Sequence, residues 1–349
     1  MDPLPLLEGL LERYSPTGQE QEAAVFLVAQ MRAAGLQASV DEVGNAVGVA
    51  GEGPETIMLL GHIDTVPGFI PVVRDGDRLN GRGAIDAKGP LACFAAAVAR
   101  ALPHVGKRRL VVIGAVAEEG DSHGARFIRD RYQPTMTIIG EPSGWDRVTL
   151  GYKGSAWFAY EVRRALAHTA GQAESACEAA VAYWNRVSAW AQETNAGASR
   201  VFDQVSPTLR GMASDSDGFV EQARLQFGVR LPPGLNVEAL DGALRGLLVE
   251  ADLRLIDGIP AYRGEKNTPL VRAFLAAIRQ AGGTPTFTVK TGTSDMNLVA
   301  PAWGTPILAY GPGDSSLDHT PQEHILISEY LRAVDVLTGV LTTLCSAPG

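Results

Sequence analysis

The sequence predicts an α/β protein, a domain built on a mostly parallel sheet and interrupted by an inserted α+β sandwich. Two apolar runs, Ile57 to Leu60 and Arg109 to Val116 (RLVVIGAV), have the residue types of strands buried on both faces. Helical patterns stand between such runs, as an α/β alternation requires. After Gly151-Tyr152-Lys153-Gly154 the pattern changes to half-exposed alternation (SAWFAYEV), and the first pattern resumes after Asn267-Thr268-Pro269. At 349 residues the chain is long enough for two cores. The expected division is 1–153 with 267–349 as one domain and 154–266 as the insertion.

The elements follow in order. Asp2 before Pro3 is an N-cap and first-turn signal for a helix reaching about Tyr14. Ser15-Pro16-Thr17-Gly18 breaks it, and a second helix runs from Gln19 to Ala34, stopped by Gly35. Short strands are expected at 37–41, 46–50 and 55–60, then a hairpin over 72–80 turning at Asp75-Gly76-Asp77. An Ala-rich helix over 88–102, the strand 109–116, a helix over 122–132 and a strand over 136–139 continue the alternation. The insertion reads strand, helix (174–192), strand (200–212), strand (219–231), helix (236–248), strand (249–256), which makes one sheet covered by two helices. A helix over 270–281, a strand over 286–290, the loop TGTSD, a strand over 306–310 and a helix over 328–344 complete the chain.

Composition narrows the function classes. Hydrophobic residues at 46% and charged residues at 20% are those of an ordinary globular protein, and no apolar run approaches a membrane span. The N-terminus lacks a basic start and a cleavage site, so a cytoplasmic protein is expected. The net charge of −9, with no basic run against it, speaks against nucleic acid. Cys93, Cys177 and Cys345 are far apart and outside any CxxC spacing, so they read as core residues rather than a disulfide frame or thiolate site.

Chemistry-bearing residues gather at the ends of expected strands and in loops. His62 and Asp64, two apart, share a face in an extended chain. Asp86 follows a Gly-rich loop, Glu118-Glu119 ends one strand as AVAEEG, Glu141 ends the next as IIGEPS, and His319 lies in SSLDHTPQEH. Parallel strands bring their carboxyl ends to one edge, where open α/β sheets bind ligands. Acidic groups crowded there are unfavourable without a cation. One imidazole and two or three carboxylates per ion, one of them shared, describe a two-metal site. Adjacent glutamates do not both point at one ion, so one of the pair Glu118-Glu119 is a ligand and the other a base.

The run GHIDTVPG, GRGAIDAKG, AEEG, GEPS and DHTPQE resembles the di-zinc aminoacylase and carboxypeptidase family that includes acetylornithine deacetylase, succinyl-diaminopimelate desuccinylase and carboxypeptidase G. The motifs span nearly the whole chain in order, and the insertion resembles that family's lid and dimerisation domain on a zinc-peptidase-like catalytic domain. The resemblance implies His62 and Glu141 on one metal, Glu119 and His319 on the other, and Asp86 bridging. It implies Glu118 as general base and Asp64 as the carboxylate orienting His62. It places His168, in RRALAHTAG, where the family has a lid histidine reaching the partner subunit's site, although Ala167 stands for the usual glycine. Arg230 in FGVRLPPG resembles the substrate-carboxylate arginine, and Gly292, Thr293 and Ser294 the substrate-contacting loop. The lid asparagine has no counterpart in VSPTLRGM. His104, His123 and His324 read as surface residues.

GHIDTVPGFIPV with GRGAIDAKGPLA is most similar to the branch that releases lysine, and often ornithine, from the C-terminal glutamate side chain of an amino-group carrier protein in lysine or arginine synthesis. The resemblance implies two divalent ions, zinc first and cobalt as an alternative, and a homodimer. A carrier docking on so acidic a chain needs a local basic patch, for which Lys107-Arg108-Arg109 and Arg163-Arg164 are the candidates. Two competitors stand beside this reading: deacylation of free acetylornithine or succinyl-diaminopimelate, and a catalytically silent amino-acid-binding protein.

Overall fold

The computed structural model describes residues 1–168 and 170–346, which fold as two units. The first comprises Met1–Gly151, Gly264–Thr288 and Ser294–Gly349, and the second Tyr152–Arg263 with Val289–Thr293.

In the first unit the helix Pro3–Leu11 begins where Asp2 accepts a hydrogen bond from the Leu4 amide, with proline in its first turn. The main sheet runs, from one edge, Gln37–Val40, Ala46–Ala50, Arg108–Ala115, Glu55–His62, Met136–Gly140, Ile307–Tyr310 and Arg147–Tyr152. The four strands from Arg108–Ala115 to Ile307–Tyr310 are mutually parallel, and the flanking pairs are antiparallel. The sheet is thus mixed with a parallel centre. The apolar centre strands are buried along almost their whole length.

Register aligns the strand ends that matter. Gly61 pairs with Gly114 on one side and Gly140 on the other. The helix Lys88–Ala101 crosses this row: a methyl group at Gly114 would stand 3.0 Å from the Leu91 side chain, and one at Gly140 would stand 3.0 Å from both the Phe94 ring and the Gly61 Cα. Missing side chains here let the helix lie against the sheet directly beneath the strand ends. Its start is anchored by Lys88, fully buried, whose ammonium donates to the carbonyls of Leu10 at 3.1 Å and Arg13 at 2.7 Å.

The expected hairpin forms as Val73–Asp75 with Arg78–Asn80, and His324–Leu326 joins it antiparallel through His324 opposite Asn80. That third strand, the strand Arg147–Tyr152 and the helix Met296–Trp303 are additions to the sequence reading. Pro301 inside the last of these hides its helical pattern.

The second unit is a four-stranded antiparallel sheet in the order Ser206–Ser216, Val220–Leu231, Gly154–Ala165, Asp252–Ile259. Ala156, Phe158, Tyr160 and Val162 are buried in alternation with the exposed Trp157 and Arg163. They pack with Phe227 and with Tyr183 of the helix Ala176–Thr194, which Ser175 and Glu178 open as a reciprocal capping box. A second helix, Val237–Arg245, buries Leu240 and Leu244 in the same core. Of the cysteines, Cys93 and Cys345 are core residues, but Cys177 is exposed on the Ala176–Thr194 helix, which corrects that expectation.

Gly140→Ala should lower stability by about 1–3 kcal/mol through overpacking against Phe94 and Gly61. The check is a denaturant midpoint shifted at constant slope.

Candidate active site

The Glu55–His62 strand ends on His62, and the chain turns so that Asp64 lies beside it, both side chains buried. His62 Nδ1 is 3.1 Å from the Asp64 carbonyl oxygen and 3.4 Å from its Oδ1. Asp64 holds a second group of residues as well: Oδ1 accepts from the Glu118 amide at 3.0 Å, and Oδ2 accepts from the Glu119 amide at 3.1 Å and the Thr17 hydroxyl at 2.8 Å. One carboxylate therefore orients the imidazole and the turn that carries both glutamates. Ala117, preceding them, has a φ of 60°, a left-handed conformation in a non-glycine residue that its surroundings must hold.

The remaining ring nitrogen of His62, Nε2, lies 3.1 Å from Asp86 Oδ1. The other oxygen of Asp86 lies 3.0 Å from His319 Nε2, which is 2.8 Å from Glu119 Oε1. Asp86 thus offers one oxygen to each histidine. The ligand atoms of His62, Asp86 and Glu141 all lie within 4.8 Å of one another, and so do those of Asp86, Glu119 and His319. The two clusters share only Asp86.

The electrostatics follow from crowding. Burial disfavours a charge on His62, yet the Asp64 and Asp86 carboxylates, with Glu118 adding, hold its pKa well above the usual value. The carboxylates of Asp86 and Glu119 push His319 up to about 10. Burial tends to raise Asp86, but the two histidines hold it far below the ordinary carboxylate range. Glu118 moves the other way: burial raises its pKa well above normal, with Asp295, Glu141 and Glu119 reinforcing and His62 opposing. A carboxylate raised in this way is suited to accept a proton near neutral pH.

Of the other residues singled out in the sequence, His168, Arg230, Gly292 and Thr293 belong to the second unit. There Arg230, half-buried, donates from Nη1 to Thr293 Oγ1 at 3.2 Å. His168 is exposed, its Nδ1 accepting from the Ala170 amide. Ser294 belongs to the first unit and is buried, its amide donating to Asn297 Oδ1 at 3.0 Å. His123 is paired with Asp121 on the surface, and His324 Nδ1 faces the Gln322 carbonyl. Of the basic pairs, Arg163 bridges to Glu161 and Arg164 to Glu174. Arg108 is not a surface residue: it is buried, pairs with Glu55 and donates to the Leu344 carbonyl, so the run at 107–109 loses its central charge as a docking patch.

The sequence reading passed over Thr17, Asp295, Arg82 and Glu323. Asp295 follows the TGTS loop directly; it is buried, its Oδ1 has no hydrogen-bond partner among the described residues, and burial raises its pKa to about 7, with His62 opposing and Asp64 reinforcing. The signal for it was adjacency to the loop, and for Thr17 its place in the Ser15–Gly18 break.

Residues 58–343 match the profile of Peptidase family M20/M25/M40. The chain is 48% identical over 340 residues to the LysW-lysine hydrolase of Deinococcus radiodurans, covering 95% of this chain and 93% of that protein. It is 41% identical over 339 residues to the putative LysW-lysine/LysW-ornithine hydrolase of Pyrococcus abyssi, covering 97% and 93%. Among solved structures, the M20 family metallo-carboxypeptidase Sso-CP2 from Sulfolobus solfataricus superposes with a TM-score of 0.80 at 18% identity, covering 99% of this chain and 100% of that one, a likeness of fold. By the extent of the profile match and the identity to full-length relatives, the chain belongs to Peptidase family M20/M25/M40.

Proposed function

We propose that the chain is a di-metal amide hydrolase that releases lysine, and ornithine as a second substrate, from the C-terminal glutamate side chain of an amino-group carrier protein in lysine or arginine biosynthesis. The observation that carries the reading is the pair of clusters joined through Asp86, with Glu118 on the turn beside them. The names of the relatives, which specify LysW-linked lysine and ornithine, support the choice of substrate.

The donor set fits two divalent ions. Each cluster supplies one imidazole and two carboxylates, counting Asp86 in both, and imidazole with carboxylate oxygen suits Zn²⁺, with Co²⁺ as the alternative. His62 and Glu141 would hold one ion, Glu119 and His319 the other, and Asp86 both. Ions so placed supply Lewis-acid polarisation of the amide carbonyl and acidify water. Glu118 takes the proton of the attacking water and passes it to the leaving α-amine, a role its raised pKa suits. Asp64 keeps His62 in one ring orientation and Glu118 in reach by holding its amide. Arg230 suits a substrate carboxylate, since a guanidinium presents two parallel donors to it. Gly292, Thr293 and Ser294 would face the substrate from the adjoining loop. His168, exposed, is assigned to the oxyanion of a second copy's site in a homodimer formed through the second unit. Among the described residues no helix is long and apolar enough to cross a membrane.

The direct test is hydrolysis by the metal-loaded protein of carrier bearing γ-glutamyl-linked lysine beside free N-acetylornithine, with a chelator control. Preference for the carrier supports the reading; preference for acetylornithine transfers the same chemistry to a free substrate, and silence on both favours a binding protein. Glu118→Gln should keep metal content and cut turnover by about 10²–10⁴-fold, the range of a positioned acid–base group; wild-type turnover would remove Glu118 from the role. Arg230→Met should raise KM with kcat little changed, the signature of lost uniform binding, read from steady-state kinetics. Because ligating histidines must be unprotonated while the neighbouring carboxylates hold His62 and His319 raised, ion binding at pH 7 should release protons and tighten as pH rises. Calorimetry in buffers of different ionisation heat would show this, and no released proton would count against the histidines as ligands.

A further inference from the structure

Bonded to the Asp86 amide is a buried ion pair that the assigned chemistry does not use. Arg82 is 7% exposed and Glu323 is 1% exposed, with Arg82 Nη1 donating to Glu323 Oε2 at 2.8 Å. Glu323 Oε1 accepts from two consecutive backbone amides, Ile85 at 2.9 Å and Asp86 at 3.1 Å. Arg82 also donates from Nε to the Gly68 carbonyl at 2.9 Å and from Nη1 to the Thr320 carbonyl at 3.2 Å. Thr320 is the residue after His319. The pair thus grips the Asp86 amide and the Thr320 carbonyl, on two ligand-bearing segments separated by more than two hundred residues of chain.

Two further facts show what this grip does. His319 has a φ of 61°, a left-handed conformation costing about 1 kcal/mol or more in a non-glycine residue, so neighbouring contacts must hold it. The strand His324–Leu326 pairs with Arg78–Asn80, and the Gly81 amide faces the Glu323 carbonyl at 3.4 Å, so both sequence segments enter the site from one ladder. A buried ion pair is seldom a net source of stability, because desolvation offsets attraction; in some proteins it fixes one arrangement over others. Here the arrangement fixed is the placement of Asp86 relative to His319.

We propose that Arg82 and Glu323 are positioning residues that hold the Asp86 and His319 segments in register, so that one carboxylate serves both ions, and that the Asp86–Glu119–His319 ion depends on them most. The selectivity follows from connectivity. Among the described residues the pair's hydrogen bonds reach the His62–Asp86–Glu141 cluster through the Asp86 amide, whereas they reach the other cluster through that amide and through the carbonyl of Thr320, the residue after His319. The inference rests on the two-ion reading of the site.

The test titrates metal-stripped full-length protein with Zn²⁺, wild type against Glu323→Gln, with Arg82→Lys alongside because it keeps the buried charge if Glu323→Gln fails to fold. Apo circular dichroism and melting curves accompany each titration. The wild type should bind two ions per chain. Each variant should keep one of them near wild-type affinity and bind the second about 10–100-fold more weakly, the cost typical of losing a group that orients a ligand. Unchanged affinity for both ions overturns the proposal. So does equal weakening of both in step with a lowered apo melting temperature, which would mark a merely structural pair. A wild type that binds fewer than two ions would instead overturn the two-ion reading itself.

Discussion

The carboxylate of Asp64 is the contact on which the candidate site depends. It is wholly buried, yet each oxygen is engaged: Oδ1 receives the Glu118 amide, and Oδ2 receives the Glu119 amide and the Thr17 hydroxyl, while His62 Nδ1 lies beside it. A buried carboxylate so fully hydrogen-bonded stays ionised, and its pKa is lowered even though burial opposes this, chiefly through His62. It ties together the end of one central strand, the turn after its neighbour and the break after the first helix. The imidazole and the backbone that carries the two glutamates are thereby held in place.

Beyond that point the site is a study in like charges. Asp86, Glu118, Glu119 and Glu141 come together near the ends of the central strands, and the two histidines face Asp86, one for each of its oxygens. The carboxylates respond in opposite ways. Asp86, between the histidines, is held strongly acidic, whereas Glu118 is raised, by burial first and by neighbouring acids second. Groups whose environments drive their pKa values apart are suited to different tasks. The separation matches the proposed division between an ion-bridging carboxylate and a proton carrier.

The packing beneath explains why these groups can sit so close. The glycines at the strand ends, Gly61, Gly114 and Gly140, let the helix Lys88–Ala101 press against the sheet, and Asp86 stands just before that helix. In the second unit, a single buried sheet face and two helices leave the opposite face carrying Trp157 and Arg230, the latter bonded to Thr293. A rigid sheet is a suitable place for the carboxylate-binding role proposed for Arg230, which needs one orientation.

The α/β class, the interruption by a second pattern and the chemical identity of the clustered residues were all legible in the sequence, because each is a local property. Burial on both faces writes an apolar run such as Arg109 to Val116, a cap writes Asp2-Pro3, and metal-type residues stand immediately after strand patterns at His62, Glu118-Glu119 and Glu141. The helix Met296–Trp303 was obscured by Pro301, and the strand His324–Leu326 is too short to show a period. Only the tertiary structure decided which oxygen of Asp86 faces which histidine, that Arg108 is buried, and that Arg82 meets Glu323. Those contacts join residues such as Glu119 and His319, 200 positions apart, or Arg82 and Glu323, 241 apart. No sequence period encodes such a distance; it is set by how the sheet, the helix beneath it and the hairpin pack against one another.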